Sequence, residues 1–213
     1  MKKFLAGLMA FSLMALNSVP ALAAINLIDV SQGYWARKEI ETVVENNIMT
    51  VDSENRFAPE EAMTRVEFVN SLLKLLTNDN LNVKIQNRFK DVSSSNPDFD
   101  NILRSQQLGL VYGYPDGTFQ PNKVMLRAEA QSVISHITKE RVTDTSVLAQ
   151  FKDNASIPSW AKYIYAKTIT YGIYVNYPDS RELRPNNILT RAEAAVLLAR
   201  LQDKLSLVKT EYV

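Results

Sequence analysis

The chain of 213 residues contains three copies of one segment, and this repetition constrains its fold more than any other feature. Each copy opens with an aspartate two residues after a large apolar residue, and the three aspartates, Asp29, Asp91 and Asp153, are spaced 62 residues apart. Near the far end of each copy a proline precedes an arginine by six residues, and these arginines are Arg65, Arg127 and Arg191. A repeat of this length indicates one supersecondary unit that buries its apolar face only against neighbouring copies.

The pattern within each copy predicts a helix, a turn-rich loop and a second helix. In copy three, apolar residues recur at helical spacing over residues 160–169. We expect the first helices to end at Asn47, Gly109 and Gly172, because asparagine and glycine accept the left-handed backbone that closes a helix. In copy two, residues 113–119 contain Pro-Asp-Gly, which favours a tight turn.

Each second helix is predicted to begin at a capping box. Thr64 with Glu67, and Thr190 with Glu193, have the spacing that satisfies the unpaired amides at a helix start. Copy two has Leu126 at this position, and the loss of a capping hydroxyl typically costs about 1 kcal/mol. The apolar stripes that follow the caps are expected to form core. The sequence therefore predicts an all-α fold of three helix-loop-helix repeats.

The first 23 residues have the composition of a secretory signal peptide. Lys2 and Lys3 precede an apolar run over residues 4–16, and Ala21 and Ala23 supply the small residues of a signal-peptidase site. The run is shorter than the roughly 20 residues that span a membrane, and no later segment is long and apolar enough. We expect cleavage after Ala23, secretion and no integral membrane segment in the mature chain. The predicted copies are residues 24–76, 88–140 and 150–203, followed by a loose tail at 204–213.

Charge and composition exclude several classes of function. The formal net charge of +1 becomes −1 when the two lysines of the predicted signal peptide are removed. The mature chain therefore lacks the positive field that nucleic-acid-binding proteins use, and no nucleic-acid partner is expected. The absence of cysteine excludes a disulfide framework, a thiolate metal site and a cysteine nucleophile.

The titratable residues do not favour an enzyme. His136 is the single histidine, so no second histidine or cysteine completes a catalytic triad or a zinc site. The acids recur once per copy, which suits a binding or structural role better than an asymmetric catalytic pair. Neither Asp116 nor Asp179 lies in a loop with the alternating oxygen ligands of a calcium hand. We predict a protein without enzymatic activity, cofactor or metal.

The three arginines are expected in the first turn of the second helices, where a cation opposes the helix dipole at a cost of about 0.3–1 kcal/mol. The presence of Arg65, Arg127 and Arg191 in all copies indicates an anion close by. One interpretation is an internal partner, either the glutamate two residues later or the opening aspartate of a neighbouring copy. The other is an anionic ligand held by helix amides and guanidinium groups together. The pattern alone slightly favours the internal partner.

Aromatic residues lie at positions that suit contact with a sugar ring. Trp35, Phe99 and Trp160 occupy roughly equivalent places in the first helices, and Tyr112, Tyr114, Tyr174 and Tyr177 lie near the loops. The alternative for the first three is that they wedge the copies together. The loop tyrosines are the better ligand candidates, because binding residues collect on loops held by a rigid scaffold.

Motifs in copies two and three resemble the S-layer homology repeat, whose hallmark is a Thr-Arg-Ala-Glu motif after a Gly-Tyr-Pro-Asp-Gly loop. Copy two contains Gly113-Tyr114-Pro115-Asp116-Gly117-Thr118-Phe119, and copy three contains Thr190-Arg191-Ala192-Glu193. Copy one retains Thr64-Arg65-Val66-Glu67 without the loop motif. The resemblance covers nearly all of the predicted mature chain.

The resemblance implies a pseudo-threefold helical domain with a central helical bundle and ligand grooves between adjacent repeats. It implies non-covalent binding of cell-wall carbohydrate, either a pyruvylated secondary wall polymer or modified peptidoglycan, at the cell envelope. Because copy two lacks the threonine and copy one lacks the loop motif, at most two good grooves are expected. Carried over by position, or taken from the loops, the ligand-binding candidates are Arg65, Arg127, Arg191, Asp29, Asp91, Asp153, Trp35, Trp160, Gly113, Tyr114 and Tyr177.

Two functions of a different class remain open beside wall anchoring. In the first alternative the chain is a surface-layer protein that assembles with itself, and in the second it is an adaptor for another envelope protein. Polymers that form at high concentration without wall would favour self-assembly, whereas pelleting only with wall would favour the anchor.

Overall fold

The computed structural model describes residues 25–76, 86–137 and 141–210, so the predicted signal peptide lies outside the described residues. The α-helices are α1 (Arg37–Glu45) and α2 (Arg65–Leu76) in copy one, α3 (Phe99–Gln107) and α4 (Arg127–Ser135) in copy two, and α5 (Lys162–Thr170) and α6 (Arg191–Thr210) in copy three. Short 3₁₀ helices at Ser146–Gln150, Asn154–Ser156 and Ser159–Ala161 lead into α5. Within the described ranges, strand pairing is limited to three isolated bridges, and the predicted all-α fold is confirmed.

The backbone confirms the predicted ends of the first helices. Asn47, Gly109 and Gly172 have φ values of 56°, 69° and 75°, each two residues beyond the last residue of its helix. The second helices begin at the three arginines, as predicted. In copy two the amide of Leu126 still donates to Glu129 at 2.9 Å, so the substitution of leucine for threonine removes only half of the capping box.

The segments before α2, α4 and α6 form a closed ring of hydrogen bonds. The amide of Met63 donates to the carbonyl of Leu189, Leu189 donates to Met125, and Met125 donates to Met63, at 2.8 to 2.9 Å. The amides of the arginines that begin α2, α4 and α6 each donate to a carbonyl of the next copy in cyclic order, at 2.9 to 3.0 Å. One equivalent segment from each copy therefore meets at the centre, which gives the fold its threefold pseudo-symmetry.

Helix packing follows the same cyclic order. Helix α3 packs on α2, α5 packs on α4, and α1 packs on α6, so each first helix lies on the second helix of the preceding copy. Helix α6 also contacts α2. On α6, residues 194–199 are all buried, and the apolar stripe predicted on α2 is buried at Phe68, Leu72 and Leu73. Neighbouring copies therefore cover much of the apolar surface of each helix, while copy three also forms a cluster largely of its own residues, among them Phe151, Tyr165 and Leu183.

Two details of the sequence interpretation need correction. The residues predicted as a loose tail continue α6 up to Thr210, and Leu205 packs against the core. Trp35 and Trp160 each lie two residues before the start of their first helix, and the equivalent residue of copy two is Pro97. Phe99 is the first residue of α3 and is not the counterpart of the tryptophans.

None of the described helices combines the length and the apolar character that crossing a membrane requires.

Candidate functional site

The three opening aspartates bind the loop of their own copy. Asp29 accepts the amides of Phe57 and Ala58 at 2.9 and 2.7 Å, and Asp91 accepts those of Phe119 and Gln120 at 2.8 and 2.7 Å. Asp153 does the same for Leu183 and Arg184. The second amide in each pair belongs to a residue with positive φ, so the carboxylate fixes a left-handed turn of the backbone. Asp29, Asp91 and Asp153 therefore hold the loops in place rather than offering free carboxylates.

The arginines reach the loop of the next copy. Arg65 Nε donates to the carbonyl of Phe119 at 2.9 Å, and Arg191 Nε donates to that of Phe57 at 2.8 Å. Arg127 is 3% exposed, donates to the carbonyl of Val175, and lies 3.5 Å from Glu193. Burial lowers the pKa of Arg127, and Glu193 opposes this shift. The arginines thus tie the copies together through backbone carbonyls.

These contacts show that the glutamate two residues later is not the partner of its arginine, whereas the other predicted partner, the opening aspartate of a neighbouring copy, lies close enough for Asp153 to act on Arg127 as an opposite charge. The glutamates two residues later accept the amides of Thr64, Leu126 and Thr190 at 2.8 to 3.1 Å and so cap their own helices. The opening aspartates are committed to their loops. Arg127 is the exception in having a carboxylate partner, and this partner is the capping glutamate of the following copy.

A groove lies between copies two and three, and we call the cavity lined by Arg65, Tyr112, Gly113, Tyr114, Glu129, His136 and Trp160 the 2–3 groove. Its volume is about 230 Å³. Trp160 is 54% exposed and Tyr112 is 72% exposed, so two aromatic faces are open to solvent. Gly113 has a φ of 77°, and a Cβ there would lie 2.6 Å from the ring of Phe89, which leaves glycine as the residue that fits.

The polar wall of the 2–3 groove is internally paired. Tyr114 donates to Glu129 at 2.7 Å, Lys123 donates to the Tyr114 hydroxyl at 3.0 Å, and the Arg65 guanidinium lies 4.7 Å from the centroid of the Tyr114 ring. Burial would raise the pKa of Glu129, but bonds from Leu126 and Tyr114 together with Lys123 hold that pKa below its usual range. Burial raises the pKa of the Tyr114 hydroxyl. The tyrosine is therefore a neutral donor, fixed in one orientation.

A second groove lies between copies three and one, and we call the cavity lined by Tyr34, Trp35, Glu60, Tyr177, Arg184 and Glu193 the 3–1 groove. Its volume is about 400 Å³. Here the two aromatic residues lie against each other, because Trp35 and Tyr177 stack with centroids 4.4 Å apart and planes 4° apart. Tyr34 donates to Glu60 at 2.6 Å, and burial together with this bond raises the pKa of Tyr34.

Arg184 is a groove residue that the sequence analysis missed. Its Nε and Nη2 atoms are buried and find no hydrogen-bond acceptor in the described part of the chain. When the three copies are aligned by sequence, Arg184 takes the position of Ala58 and Gln120, just before the shared proline. This alignment could have identified Arg184 from the sequence, since copy three alone has a cation at this position.

The junction between copies one and two is built differently. The positions of Tyr114 and Trp160 are taken by Asp52 and Pro97, so neither aromatic wall is present. Asn70 on α2 donates to Asp98 at 2.8 Å and accepts from Asn101 on α3 at 2.9 Å. These bonds cross directly from copy one to copy two at the place that Ser132 takes in the 2–3 groove.

A family model described as S-layer homology domain matches residues 29–69, 88–130 and 150–195, which together are more than half of the chain. Each matched segment lies within one copy and ends a few residues into its second helix. The matches thus coincide with the three structural units.

Three curated proteins illustrate the similarity. The exoglucanase XynX of Acetivibrio thermocellus is 30% identical over 80% of this chain and 16% of its own length. The surface-layer 125 kDa protein of Lysinibacillus sphaericus is 26% identical over 93% of this chain and 17% of its own. A cellulosome-anchoring protein of Acetivibrio thermocellus is 32% identical over 70% of this chain and 34% of its own. The chain therefore spans about a third of these relatives at most.

Proposed function

Because the chain belongs to the S-layer homology family, we propose that it anchors non-covalently to a bacterial cell wall by holding wall carbohydrate in the 2–3 and 3–1 grooves. The observation that carries the proposal is that each groove has a tryptophan from one copy and a loop tyrosine from another. Ring faces of this kind cover the C–H face of a sugar, while adjacent hydroxyl and carboxylate groups bond to its hydroxyls.

The names of two relatives agree with this role, since one is a surface-layer protein and the other is a cellulosome-anchoring protein. The match to an exoglucanase covers 16% of that enzyme, and we do not extend its activity to this chain. We propose binding without catalysis, because the groove carboxylates Glu129 and Glu193 are held by helix amides and by neighbouring donors.

The arginines contribute to binding in our proposal chiefly through the loops that they hold. Arg65 is 7% exposed and lines the 2–3 groove, and in this proposal it is the arginine that contacts a ligand directly. Arg127 is buried, and Arg191 bonds to the loop of copy one. Wall binding then uses at least two grooves on one repetitive polymer, which raises the overall affinity above that of either groove alone.

The test is co-sedimentation of the chain with purified sacculi, before and after acid removal of secondary polymers. We expect Trp160→Ala combined with Tyr177→Ala to abolish pelleting, because each groove loses one aromatic wall. Tyr163→Ala is the matched control, since Tyr163 is 57% exposed and lies outside both grooves. Retained pelleting of the double variant would contradict the groove assignment.

Size-exclusion chromatography without wall addresses the alternative of self-assembly. We expect elution that does not change with protein concentration. Polymers that form at high concentration without sacculi would favour a surface-layer lattice instead, and loss of the double variant's pelleting would then need comparison with its polymerisation.

A further inference from the structure

The single histidine of the chain lies at the 2–3 groove. His136 follows the last residue of α4 as its C-cap, is exposed, and lines the groove together with Tyr112 and Trp160. Its Nδ1 atom lies 3.0 Å from the carbonyl oxygen of Leu110, and its ring meets that of Tyr112 edge-on, with centroids 5.1 Å apart. The side chain is therefore held in one orientation while it remains open to solvent in the groove.

The contact with Leu110 decides which nitrogen of His136 carries the proton in the neutral ring. A carbonyl oxygen only accepts hydrogen bonds, so Nδ1 is the donor and Nε2 is the acceptor. When the ring gains a second proton, Nε2 becomes a donor as well, and the bond from Nδ1 is kept and strengthened by the charge. Protonation therefore adds a positive charge at the groove without releasing the segment that leads to Gly113.

The corresponding residues of the other copies are permanent cations. His136 lies nine residues after the arginine that begins its helix, and the residues at the same distance in copies one and three are Lys74 and Arg200. Arg200 donates to the carbonyl of Tyr174, in the segment that follows the first helix of copy three. A donor to this segment is thus present in copies two and three, and only that of copy two changes its charge between about pH 5 and 8.

The charged groups of the groove wall do not titrate in that interval. Arg65 carries a guanidinium group, which stays protonated in proteins. Burial would raise the pKa of Glu129, but its hydrogen bonds hold that pKa below its usual range, and the bond to the Tyr114 hydroxyl raises the pKa of Lys123. Lys167 on α5 donates to the carbonyl of the last residue of α4 at 2.9 Å, so a second cation lies at this helix end. Arg65 and Lys167 oppose protonation of the histidine, whereas Glu129 and the carbonyl end of α4 favour it.

From this we infer that His136 is a positioning and specificity-determining residue of the 2–3 groove, and that its protonation strengthens the binding of wall glycan there as the pH falls. The bond to Leu110 keeps the loop of the groove in place in both states, and the charge on the exposed ring attracts an anionic group of the polymer. The 3–1 groove, with Arg200 at the corresponding position, does not share this dependence. This inference rests on the proposed function and adds control by pH to one of its two grooves.

The experiment uses the full chain with Trp35→Phe, so that Trp160 is the single tryptophan and its fluorescence reports on the 2–3 groove. Soluble glycan fragments released from sacculi are added at about pH 8 and at about pH 5.5, on either side of the histidine transition. We expect binding to be about tenfold tighter at the lower pH, the size of one charge-assisted contact. His136→Arg should bind at both pH values as tightly as the parent does at the lower one. His136→Gln should bind at both as weakly as the parent does at the higher one.

Both variants keep a donor for the Leu110 carbonyl, so their thermal melts at about pH 8 should match that of the parent. The companion chain with Trp160→Phe reports on the 3–1 groove through Trp35, and its affinity should be the same at both pH values. An equal rise in both grooves, or a rise that persists in His136→Gln, would mean that the polymer titrates, and would overturn the role of His136 while wall binding stands. Parent binding that is unchanged or weaker at the lower pH would overturn it as well. If the parent binds the fragments at neither pH, the proposed function itself fails.

Discussion

The 2–3 and 3–1 grooves are made from equivalent residues and yet pair them differently. In the 2–3 groove Tyr114 turns to Glu129, which leaves Trp160 without a ring partner among the described residues. In the 3–1 groove Tyr177 stacks on Trp35, and Glu193 forms an ion pair with Arg127 instead of bonding to the tyrosine. The difference begins at the residue four before the second-helix arginine, where Lys123 of copy two supports Tyr114 and copy three has Asn187.

This comparison separates two kinds of arginine, those that recur in every copy and one that occurs in copy three alone. Arginines at the start of the second helices bond to carbonyls of the next loop and are part of the scaffold. Arg184 lies at a position where the other copies have no charge, and its Nε and Nη2 atoms have no acceptor in the described part of the chain. The arginines that recur in every copy thus tie the copies together, whereas Arg184 is a buried cation peculiar to copy three.

The largest expected effect comes from Arg127→Ala. This change leaves the Val175 carbonyl and the Glu193 carboxylate without their buried donor, and we expect a loss of roughly 3 kcal/mol in the free energy of unfolding. Urea unfolding at neutral pH measures it. Arg184→Gln is the contrasting variant, expected to lose less than about 0.5 kcal/mol because the Nε and Nη2 atoms of Arg184 have no acceptor in the described part of the chain. Equal losses for the two variants would remove the distinction between the bonded arginine and the buried arginine with unpaired atoms.

The next effect concerns a feature that the copies share. Asp91→Ala and Asp153→Ala each strand two loop amides at a left-handed turn, and we expect each to lose about 2 kcal/mol, a similar loss in both copies. The Asp→Asn variants keep one acceptor oxygen and should lose about half as much. A loss confined to one copy would show that the two loops are held differently despite their matching bonds.

The features of the fold that could be predicted from the sequence are those set by local interactions. Helix starts at the arginines and left-handed ends at Gly109 and Gly172 were predicted correctly, because capping and glycine preferences act within a few residues. The partners of the arginines were not, because Arg191 reaches Phe57 across 134 positions of sequence. No local pattern encodes which loop lies beside which helix in a cyclic arrangement.

The grooves were predictable only in part. Tryptophans and loop tyrosines were recognised as candidate ligand contacts, but their pairing depends on neighbours such as Lys123, which the motif comparison did not weigh. Arg184 was missed because it lies between two recognised motifs. A motif comparison finds the residues that the copies share, whereas the two grooves differ at residues that the copies do not share, such as Lys123 and Arg184.

A smaller effect is expected in the pH dependence of stability. The folded-state pKa of Glu129 is lowered from 4.5, so its contribution is complete above the unfolded-state value and is lost as pH falls through the folded-state value. Glu129→Gln should therefore destabilise at pH 7 and lose less additional stability than wild type as the pH falls below about 4.5. Thermal melts across this range measure the difference. Tyr114→Phe removes one of the donors and should reproduce part of the change, and a variant curve parallel to wild type would contradict the assigned cause.

The smallest effect is spectroscopic and tests whether the aromatic walls differ as described. Trp160 is 54% exposed, whereas Trp35 is partly buried and stacked on Tyr177, a contact worth about 0.5–1.5 kcal/mol. In the single-tryptophan variants Trp35→Phe and Trp160→Phe, acrylamide should quench Trp160 more steeply than Trp35. Adding Tyr177→Leu should raise quenching of Trp35, while adding Tyr114→Leu should leave Trp160 unchanged, since Tyr114 bonds to Glu129 and not to the tryptophan. Equal quenching of the two tryptophans from the outset would mean that the 3–1 stack is open in solution, and a ligand would then meet an exposed tryptophan in both grooves.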